Sequence, residues 1–234
     1  MHCLTVIYPR PDDEAHFKKY YKETHIPLAR QLPGLKSCHH AYPAAIGPAG
    51  NVPFCIFQAW FESPDAMGQA MPKPALRPFL PADVPVLAAI FVAAIEGLTG
   101  DDYSEAQQEA WASAAEDEEA FGRKLAGELT LIATLQNSPV GFASLKGSET
   151  IDMVYVHPSV AGQGVGAMLV DALEKLAGGR GAKTLSVDAS DTALDFFRKR
   201  GYVAMQRNSV PRHGEWLANT TMRKQLAPAS GVPQ

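Results

Sequence analysis

The segment from residue 151 to residue 177 constrains the fold more than any other part of the chain. An apolar strand candidate, Ile151–Val156, is followed by His157 and Pro158, by the glycine-rich loop Ala161–Gly166, and by a helix with apolar periodicity. A strand that runs through glycines into a helix start directs several unpaired backbone N–H groups toward one point, with the positive end of the helix dipole behind them. Glycine suits such a loop because side chains would block the approach and some positions need a positive φ. The segment therefore favours a phosphate-bearing ligand.

Two kinds of phosphate site compete for this segment. Gly162, Gly164 and Ala167 have the spacing of a dinucleotide-binding turn, and Asp188 follows a predicted strand near the acidic position of such proteins, about 20 residues on. In a dinucleotide site, however, the turn follows its strand almost at once, whereas residues 157–161 intervene here. Only one βαβ unit is visible in the sequence. The dinucleotide interpretation is therefore the weaker of the two.

The second interpretation rests on a longer series of motifs. Val-Tyr-Val-His-Pro (154–158), the glycine loop, Val-Asp-Ala-Ser (187–190) and Phe-Phe-Arg-Lys-Arg-Gly-Tyr (196–202) occur in that order. This order and spacing resemble the GNAT superfamily of N-acetyltransferases over about residues 75–226. The resemblance implies an α+β or α/β fold, with a mixed central sheet of about seven strands and helices on both faces. It also implies acetyl-CoA as the co-substrate and an amine as the acceptor.

The resemblance assigns the cofactor contacts to two parts of the chain. The diphosphate would lie on the glycine loop, and the pantetheine would lie along the strand that ends at Val156. The residues implied as cofactor contacts are Val154, Tyr155, Val156, Ala161, Gly162, Gln163, Gly164, Val165, Gly166, Ala167, Ser190 and Phe197.

Three residues depart from the family pattern. Ala161 stands where Gln or Arg is usual, and Ser190 stands where Asn is usual. Phe197 occupies the position where many members carry the Tyr that protonates the departing thiolate. Phenylalanine donates no proton, so either another group does so or the thiolate leaves unprotonated, which a thiol pKa of about 8.5 tolerates.

The catalytic candidates lie on the strand before the loop. The resemblance implies that Asp152 acts as the base, usually through water, that removes the proton from the amine. Regular strand alternation places Asp152 on one face with Val154 and Val156, and Tyr155 on the opposite face. Asp152 could instead be the carboxylate of an ion pair, and Tyr155 a packing residue rather than a proton donor.

The acceptor side is less constrained by the sequence. Asp101, Asp102, Tyr103 and Trp111 lie on early helices that line the acceptor side in such acetyltransferases, and Tyr103 and Trp111 are the predicted substrate contacts. An acidic and aromatic lining suits a cationic amine. The same side chains could equally be a helix cap and core packing. Residues on the closing hairpin form a further candidate group: His213, Glu215 and Trp216.

Predicted elements surround these motifs. The patterns predict helices at 82–98, 103–115, 117–126 and 167–177, a hairpin of strands at 128–136 and 140–146, and further strands at 75–80, 183–187, 203–209 and 216–223.

The first 70 residues have a different character. They predict strands at 4–8, 35–42 and 54–61, a helix at 14–31, and a second helix that begins at Ser63. The segment Tyr20–Leu28 resembles the EthD-type branch of the dimeric α+β barrels, over about residues 2–71. That resemblance implies a ferredoxin-like module that pairs with a second copy. His25 is its functional candidate, and a structural histidine near a helix end is the alternative.

A proline-rich segment separates the two parts. Three prolines lie within residues 71–78, where they break any helix. The chain reaches this segment before the last strand of an EthD-like module, so the module is expected to be incomplete. The expected division is an EthD-like segment at 1–74, an acetyltransferase domain at 75–228 and a flexible tail at 229–234. The module would serve dimerisation.

Composition excludes several classes of protein. The net charge is −4, and no basic patch indicates nucleic acid. The apolar run at 84–95 looks too short to span a bilayer, and the N-terminus has no secretory signal, so we expect a cytoplasmic protein. The three cysteines form no disulfide pattern, and Cys38-His39-His40 lacks a second ligand pair, so no metal is expected.

Two other functions remain open from the sequence. The chain could bind acetyl-CoA without turnover, which Phe197 favours, or the N-terminal module could itself be a small-molecule monooxygenase or lyase. The missing strand argues against the latter.

Overall fold

The chain divides into two compact units in the structure, which is a computed structural model. The units are Met1–Lys73 and Pro74–Gln234, and the structure describes residues 1–44, 52–70 and 73–226. The first part of the proline-rich segment, residues 71 and 72, and the expected tail at 229–234 lie outside the described residues.

The first unit is built on a three-stranded antiparallel sheet. Its strands are β1 (His2–Tyr8), β2 (Leu35–Ala41) and β3 (Cys55–Phe61), in the order β1-β3-β2. The predicted helix at 14–31 is interrupted: α1 (Glu14–Tyr20) continues through a π-helical turn (Tyr21–His25) into α2 (Ile26–Ala29). After β3, helix α3 (Pro64–Ala70) begins where the side chain of Ser63 accepts a hydrogen bond from the Ala66 N–H at 3.1 Å.

One face of this small sheet is packed and the other is not. Cys55, Phe57, Ala59 and Phe61 alternate along β3 and are buried, together with Tyr21 and Ile26 from the helical segment. The intervening β3 residues are half-buried, and Ile7 on the same face of β1 is 63% exposed. Helices therefore cover a single face of the sheet.

The strand that follows in the chain does not complete this sheet. Strand β4 (Ala75–Pro78) pairs with β5 (Leu129–Leu135) of the second unit, in antiparallel register from Ala75↔Thr134 to Pro78↔Leu131. In the described residues the first unit consequently has three strands, as the incomplete module predicts.

The second unit contains the seven-stranded mixed sheet that the sequence predicts. After β4 and β5 come β6 (Ser138–Lys146), β7 (Thr150–Val156), β8 (Thr184–Ser190), β9 (Val203–Arg212) and β10 (Glu215–Gln225). The order is β4-β5-β6-β7-β8-β10-β9. All pairs are antiparallel except β7 with β8.

The helices of this unit form where capping residues and apolar periodicity coincide. They are α4 (Val84–Leu98), α5 (Glu105–Ala112), α6 (Glu118–Ala126), α7 (Val165–Gly179) and α8 (Asp191–Lys199). Ser104 and Gln107 form a reciprocal capping box at the start of α5. Asp117 caps α6 by accepting from the Ala120 N–H at 2.9 Å. Helix α7 begins two residues before its predicted start.

Each face of the large sheet has its own core. Leu169, Val170 and Leu173 of α7 pack on one face with Phe197 of α8. On the other face, Leu87 and Phe91 of α4 pack with residues of α6. Helices on both faces place the central strands β7 and β8 between two apolar layers.

Helix α4 corrects one expectation. Together with the preceding turn it runs from Pro81 to Leu98, 18 residues, so it is long and apolar enough to span a membrane by length and composition. In the structure its apolar side chains, such as Leu87, Ile95 and Phe91, are buried in the core of the second unit. One such helix is weak evidence for a membrane span, because core helices pass the same test.

An ion pair fixes the start of α4 to β4. Two guanidinium nitrogens of Arg77 donate to the carboxylate of Asp83 at 2.7 and 2.6 Å, and the Leu80 N–H donates to it at 2.8 Å. The hydrogen bonds from Arg77, followed by that from Leu80, lower the pKa of Asp83 against the opposing effect of burial. Because the folded pKa lies below the unfolded one, the pair stabilises the fold above about pH 4, and this stabilisation is lost at lower pH.

We therefore predict that Asp83→Asn lowers the free energy of unfolding by about 1–3 kcal/mol at pH 7, because it breaks a charged pair that is largely shielded from water. Urea unfolding at several pH values should show the difference from wild type narrowing as the pH falls below about 4. Glu119→Gln, which breaks an exposed ion pair with Arg123, is the control and should change stability by under about 0.5 kcal/mol. A difference for Asp83→Asn that stays constant down to low pH would contradict this account.

Candidate functional site

The two central strands of the large sheet separate soon after they meet. Strands β7 and β8 share two residue pairs, Thr150↔Ser186 and Ile151↔Val187. On its other edge, β7 stays paired with β6 as far as Gly141↔Val156. In the described part of the chain, the β8-facing edge of β7 therefore has no sheet partner from Asp152 to Val156. A strand edge without a partner offers N–H and C=O groups to a ligand.

A cavity of about 460 Å³ lies where these strands diverge, and we call it the cofactor cleft. Its lining is mainly apolar and comes from β7, β8, the glycine loop and helices α4 and α8. The lining residues used below are Trp111, Asp152, Val154, Tyr155, Val156, Gly162, Gly164, Gly166, Asp188, Ser190, Phe196 and Phe197.

The glycine loop closes one end of this cleft. Gly162 and Gly164 have φ angles of 75° and 85°, in the left-handed region where other residues are strained. Gly164 is the N-cap of α7. Gly166 has an ordinary helical backbone, and a Cβ there would lie 3.6 Å from Val156 and 3.7 Å from Phe196. The first two glycines thus set the backbone path, whereas Gly166 lies close to the cleft wall.

The loop presents a group of free amide donors. The first hydrogen bond of α7 is donated by the Met168 N–H to the Gly164 carbonyl. The four preceding N–H groups therefore have no acceptor within the helix; they belong to Gly164, Val165, Gly166 and Ala167. With the helix dipole behind them they form an anion site.

Two residues of the loop use their own N–H groups within the fold. The N–H groups of Ala161 and Gln163 donate within the loop, to Pro158 and Val160, so neither amide is free for a ligand. The side chain of Gln163 donates to the Ser159 carbonyl at 3.0 Å. Val165 is buried in the core, so it can contribute its backbone alone.

A second cavity, of about 430 Å³, adjoins the cofactor cleft. The residues common to both cavities are Trp111, Asp152, Tyr155, Asp188 and Ser190. The second cavity is further lined by residues that include Tyr103, Phe121, Lys124, Arg212 and Leu217. The carboxylates of Asp152 and Asp188 and the aromatic rings of Trp111 and Tyr155 thus lie at the junction of the two cavities.

A β-bulge corrects the predicted orientation of Asp152. The register of β6 with β7 passes from Ser144↔Met153 to Leu145↔Ile151, so Asp152 is an extra residue on β7. Ile151 packs in the core beside α7, whereas Met153 packs in the core beside α4, so the alternation of faces shifts at the bulge. The expectation that Asp152 shares a face with Val154 and Val156, opposite Tyr155, is wrong for this reason.

Asp152 is held by an ion pair. The Nζ atom of Lys124 on α6 lies 2.6 Å from Oδ2 of Asp152 and 3.9 Å from a carboxylate oxygen of Glu128. The ion pair that the sequence leaves open is therefore present. Asp152 lines both cavities, whereas Lys124 lines the second cavity.

Tyr155 lies in an aromatic environment. Trp111 donates its indole N–H to the Tyr155 hydroxyl at 3.1 Å, and the ring stacks on Phe142 and packs against Phe91. Burial raises the pKa of Tyr155, so the phenol stays protonated at neutral pH. Tyr155 is therefore a packing residue that also lines both cavities.

Tyr103 has a structural role through its hydroxyl group. It donates to the Ala218 carbonyl at 2.6 Å and accepts from the Asp191 N–H at 2.9 Å, which joins β10 to the start of α8. Its ring lines the second cavity and meets Trp111 edge to face. Tyr103 can therefore offer an acceptor its ring, whereas its hydroxyl is engaged.

The other acceptor candidates are not among the lining residues of either cavity: Asp101, Asp102, His213, Glu215 and Trp216. Asp102 accepts a hydrogen bond at 2.7 Å from Thr192, which lines the cofactor cleft. His213 occupies the β9–β10 turn with a φ of 45°. Their role as acceptor contacts stays a prediction.

Phe197 and Ser190 complete the wall at α8. Phe197 is buried, packs edge to face against Tyr202 with ring centres 5.2 Å apart, and lines the cofactor cleft. It supplies no proton there. The Ser190 hydroxyl oxygen accepts from the Ala193 N–H at 3.2 Å and caps α8, so its oxygen is partly used by the fold.

Three polar residues of the second cavity were not predicted from the sequence: Lys124, Arg212 and Asn219. Asp188 was weighed only as the acidic residue of a dinucleotide site. No local pattern marks Lys124, because its partner Asp152 is reached through the tertiary fold. Asp188 carries a usable signal: it follows Val187 directly, at the predicted end of the strand beside the glycine loop.

The first unit holds a histidine in an aromatic cluster. His25 stacks on Tyr21 with ring centres 4.5 Å apart and meets Phe57 edge to face. Burial lowers the pKa of His25. The buried Tyr21 hydroxyl has no hydrogen-bond partner among the described residues. No set of three or more His, Cys, Asp or Glu side chains in the described ranges could hold a metal ion.

The fold and this site define a GNAT-type protein, and comparison with known proteins agrees. The family model described as an acetyltransferase (GNAT) domain matches residues 99–226, and the EthD domain model matches residues 10–90. The chain belongs to the GNAT acetyltransferase family and carries an EthD match at its N-terminal end.

Three relatives illustrate the range of similarity. The uncharacterized N-acetyltransferase YafP of Escherichia coli (strain K12) is 34% identical over 148 residues, which are 63% of this chain and 93% of that protein. A crystal structure of a GCN5-related N-acetyltransferase from Rhodopseudomonas palustris is 69% identical, with a TM-score of 0.66, and covers 67% of this chain and 98% of its own. The PaiA N-acetyltransferase of Thermoplasma acidophilum, in complex with coenzyme A, shares the fold at 16% identity and a TM-score of 0.56, over 65% of this chain and 99% of its own.

Proposed function

We propose that the protein transfers an acetyl group from acetyl-CoA to an amine by direct attack, without an acetylated enzyme intermediate. The observation that carries this proposal is the divergence of β7 from β8, with the free amides of the glycine loop at the end of the resulting cleft. Membership of the GNAT family supports the same chemistry.

The cofactor cleft fits the parts of acetyl-CoA. The diphosphate would accept hydrogen bonds from the amides of residues 164–167, where the helix dipole adds to the attraction. The pantetheine carries amide groups, which can pair with the free edge of β7 as an added strand would. Its apolar portions would meet the apolar wall that includes Val154 and Phe196. The thioester would then lie at the junction with the second cavity.

The chemistry begins with a proton transfer. An amine is mostly an ammonium ion at neutral pH, and it must lose a proton before its nitrogen can attack the thioester carbonyl carbon. Asp152 is the proposed acceptor of that proton, through water, since it lies on the wall of both cavities. Its pairing with Lys124 fixes the position of the carboxylate.

Bond formation and cleavage follow. As the C–N bond forms, negative charge develops on the carbonyl oxygen, and free N–H groups along residues 154–156 of β7 would stabilise it. The nitrogen of the resulting tetrahedral intermediate carries a second proton to be lost, which passes to solvent as the C–S bond breaks. The products are the neutral amide and the CoA thiolate. Phe197 cannot protonate the thiolate. The protonated Tyr155 phenol, which lines both cavities, is the proposed donor, and solvent can also supply the proton because a thiol has a pKa of about 8.5.

A second candidate function is supported by two observations. The buried Phe197 and the engaged carboxylate of Asp152 would also suit a protein that binds acetyl-CoA without turnover. Release of free thiol from acetyl-CoA in the presence of amines distinguishes the two functions.

The N-terminal unit has a proposed role in assembly. Its sheet has edge strands β1 and β2, and the face that carries Ile7 and Trp60 lacks a layer of helices in the described residues. A second copy of the chain could cover this face with its own. We therefore propose a cytoplasmic homodimer in which the N-terminal unit holds the two chains together.

The cofactor proposal predicts that Gly164→Val weakens acetyl-CoA binding at least about tenfold, measured by isothermal titration calorimetry. A β-branched residue at a φ of 85° is strongly disfavoured, so the loop must change its path and the amides lose their common direction. Gly181→Val is the matched control, since Gly181 has a φ of 90° and open space around it, but lies in the turn after α7 and lines neither cavity. Equal loss of affinity in both variants would show a general effect of backbone strain and would count against the proposed site.

The assignment of Asp152 as the base makes a pH-dependent prediction. Asp152→Asn should lower the rate of thiol release about 10²–10⁴-fold near neutral pH, and less at high pH, where more of the amine is already neutral. Lys124→Gln also breaks the ion pair but retains the carboxylate, and should keep most of the activity. If both variants lose the same fraction of activity across the pH range, Asp152 serves the ion pair and is not the base.

The dimer proposal predicts that Ile7→Glu converts the full-length protein from twice the mass of one chain to a single chain, measured by multi-angle light scattering. A carboxylate in an apolar interface would lose its hydration without compensation. Leu28→Glu, at a 57% exposed position on α2, should leave the mass unchanged. A wild-type protein with the mass of one chain would refute the proposal.

A further inference from the structure

Asp188 occupies a position that the proposed proton transfer does not use. It is the first residue of β8 after the last pair with β7, Ile151↔Val187, and it lines both the cofactor cleft and the second cavity. A carboxylate at this junction faces the space where an incoming amine would meet the thioester.

A chain of hydrogen bonds fixes one oxygen of Asp188. The Thr221 hydroxyl on β10 donates to Oδ1 at 2.6 Å, and the side-chain amide of Asn208 on β9 donates to the Thr221 oxygen at 2.9 Å. The same amide donates to the Oδ1 atom of Asn219 at 2.9 Å. Because Asn208 donates to Thr221, the Thr221 hydroxyl hydrogen is directed to Asp188. The carboxylate is thereby held across three neighbouring strands.

The second oxygen of Asp188 is free. Within the described residues, its Oδ2 has neither a hydrogen-bond donor nor a cationic partner. Asp152, in contrast, has the ammonium group of Lys124 at 2.6 Å. Of the two carboxylates at the junction, Asp188 is therefore the one whose negative charge is not compensated by an ion pair.

We propose that Asp188 binds the acceptor amine, and that the acceptor enters as a primary ammonium ion. This inference rests on the proposed acetyltransferase function. The free Oδ2 accepts a hydrogen bond from one N–H of the ammonium group, and the bond from Thr221 to Oδ1 restricts the rotation of the carboxylate. Charge-assisted hydrogen bonds of this kind are short and comparatively strong.

The two carboxylates then have different tasks. Asp188 keeps its hydrogen bond to one N–H of the acceptor and does not take that proton. A second N–H proton passes to Asp152 through water, which leaves a lone pair on the nitrogen for attack on the carbonyl carbon. Holding one N–H fixes the direction of the lone pair, which is a positioning effect.

The test compares charged and neutral acceptors in the full-length protein. Benzylamine, Nα-acetyl-lysine amide and alanine amide offer a primary amine that is protonated at or near neutral pH, whereas aniline is uncharged there. Asp188→Asn, which preserves shape, should raise the KM for the amines that wild type acetylates by roughly 10- to 100-fold, in line with the strength of charged hydrogen bonds. The KM for aniline should change less than about threefold, and the calorimetric affinity for acetyl-CoA should stay the same.

Two further variants separate positioning from general damage. Thr221→Val keeps the carboxylate but removes the hydrogen bond that orients it, so it should raise the same KM values by a smaller factor. Asp195→Asn, an exposed carboxylate on α8 that pairs with Arg198, should match wild type. If the KM is unchanged in Asp188→Asn, or rises equally for aniline and for the charged amines, Asp188 does not bind the acceptor amine. The acetyltransferase proposal would stand in that case. If wild type releases no thiol with any of the four amines, the acetyltransferase proposal fails and this inference fails with it.

Discussion

The divergence of β7 from β8 is the constraint on which the rest of the site depends. Parallel pairing lasts for two residue pairs, and the strands then separate while β7 remains paired with β6. The bulge at Asp152 accounts for part of this change in direction, because an extra residue bends a strand and increases its twist. The separation creates the cofactor cleft, leaves a free backbone edge, and turns Asp152 toward the second cavity. The bulge at Asp152 thus contributes both to the shape of the cofactor cleft and to the position of the Asp152 carboxylate.

The polar groups around the two cavities illustrate how the fold uses its hydrogen bonds. Tyr103 joins β10 to the start of α8, and Ser190 caps the same helix. Both residues line a cavity, and both also use their hydroxyl oxygens to hold the wall in place. The polar groups still available include the backbone amides of the glycine loop, the free edge of β7 and one oxygen of Asp188. A rigid wall with a few free polar groups is the usual composition of a small-molecule site.

Strand β4 lies within the match to the EthD domain model but pairs in the larger sheet. The EthD model extends to residue 90, beyond the first unit, and so includes β4. In the structure β4 pairs with β5, and the first unit keeps three strands among the described residues. The pairing of Arg77 with Asp83 joins β4 to the segment before α4. These contacts hold β4 in the larger sheet. Among the described residues the smaller sheet keeps β1 and β2 as edge strands, and the dimer proposal rests separately on its face without helices.

The sequence by itself determined most strand and helix positions and the glycine loop, because these depend on local periodicity, capping and backbone conformation. The class of fold was implied by the resemblance of its ordered motifs to a known family. Gly162 and Gly164 adopt the positive φ that their residue type permits, and Asp117 caps a helix as its type predicts. The tertiary structure decided three further features: the face on which Asp152 lies, the hydrogen bonds of the Tyr103 hydroxyl, and the hydrogen bond from Thr221 to Asp188. A bulge moves a side chain to the other face of a strand through the register with its neighbour. Thr221 lies 33 positions from Asp188 and reaches it through strand pairing. Local sequence patterns do not encode these distant contacts, so the tertiary fold alone brings the reactive groups together.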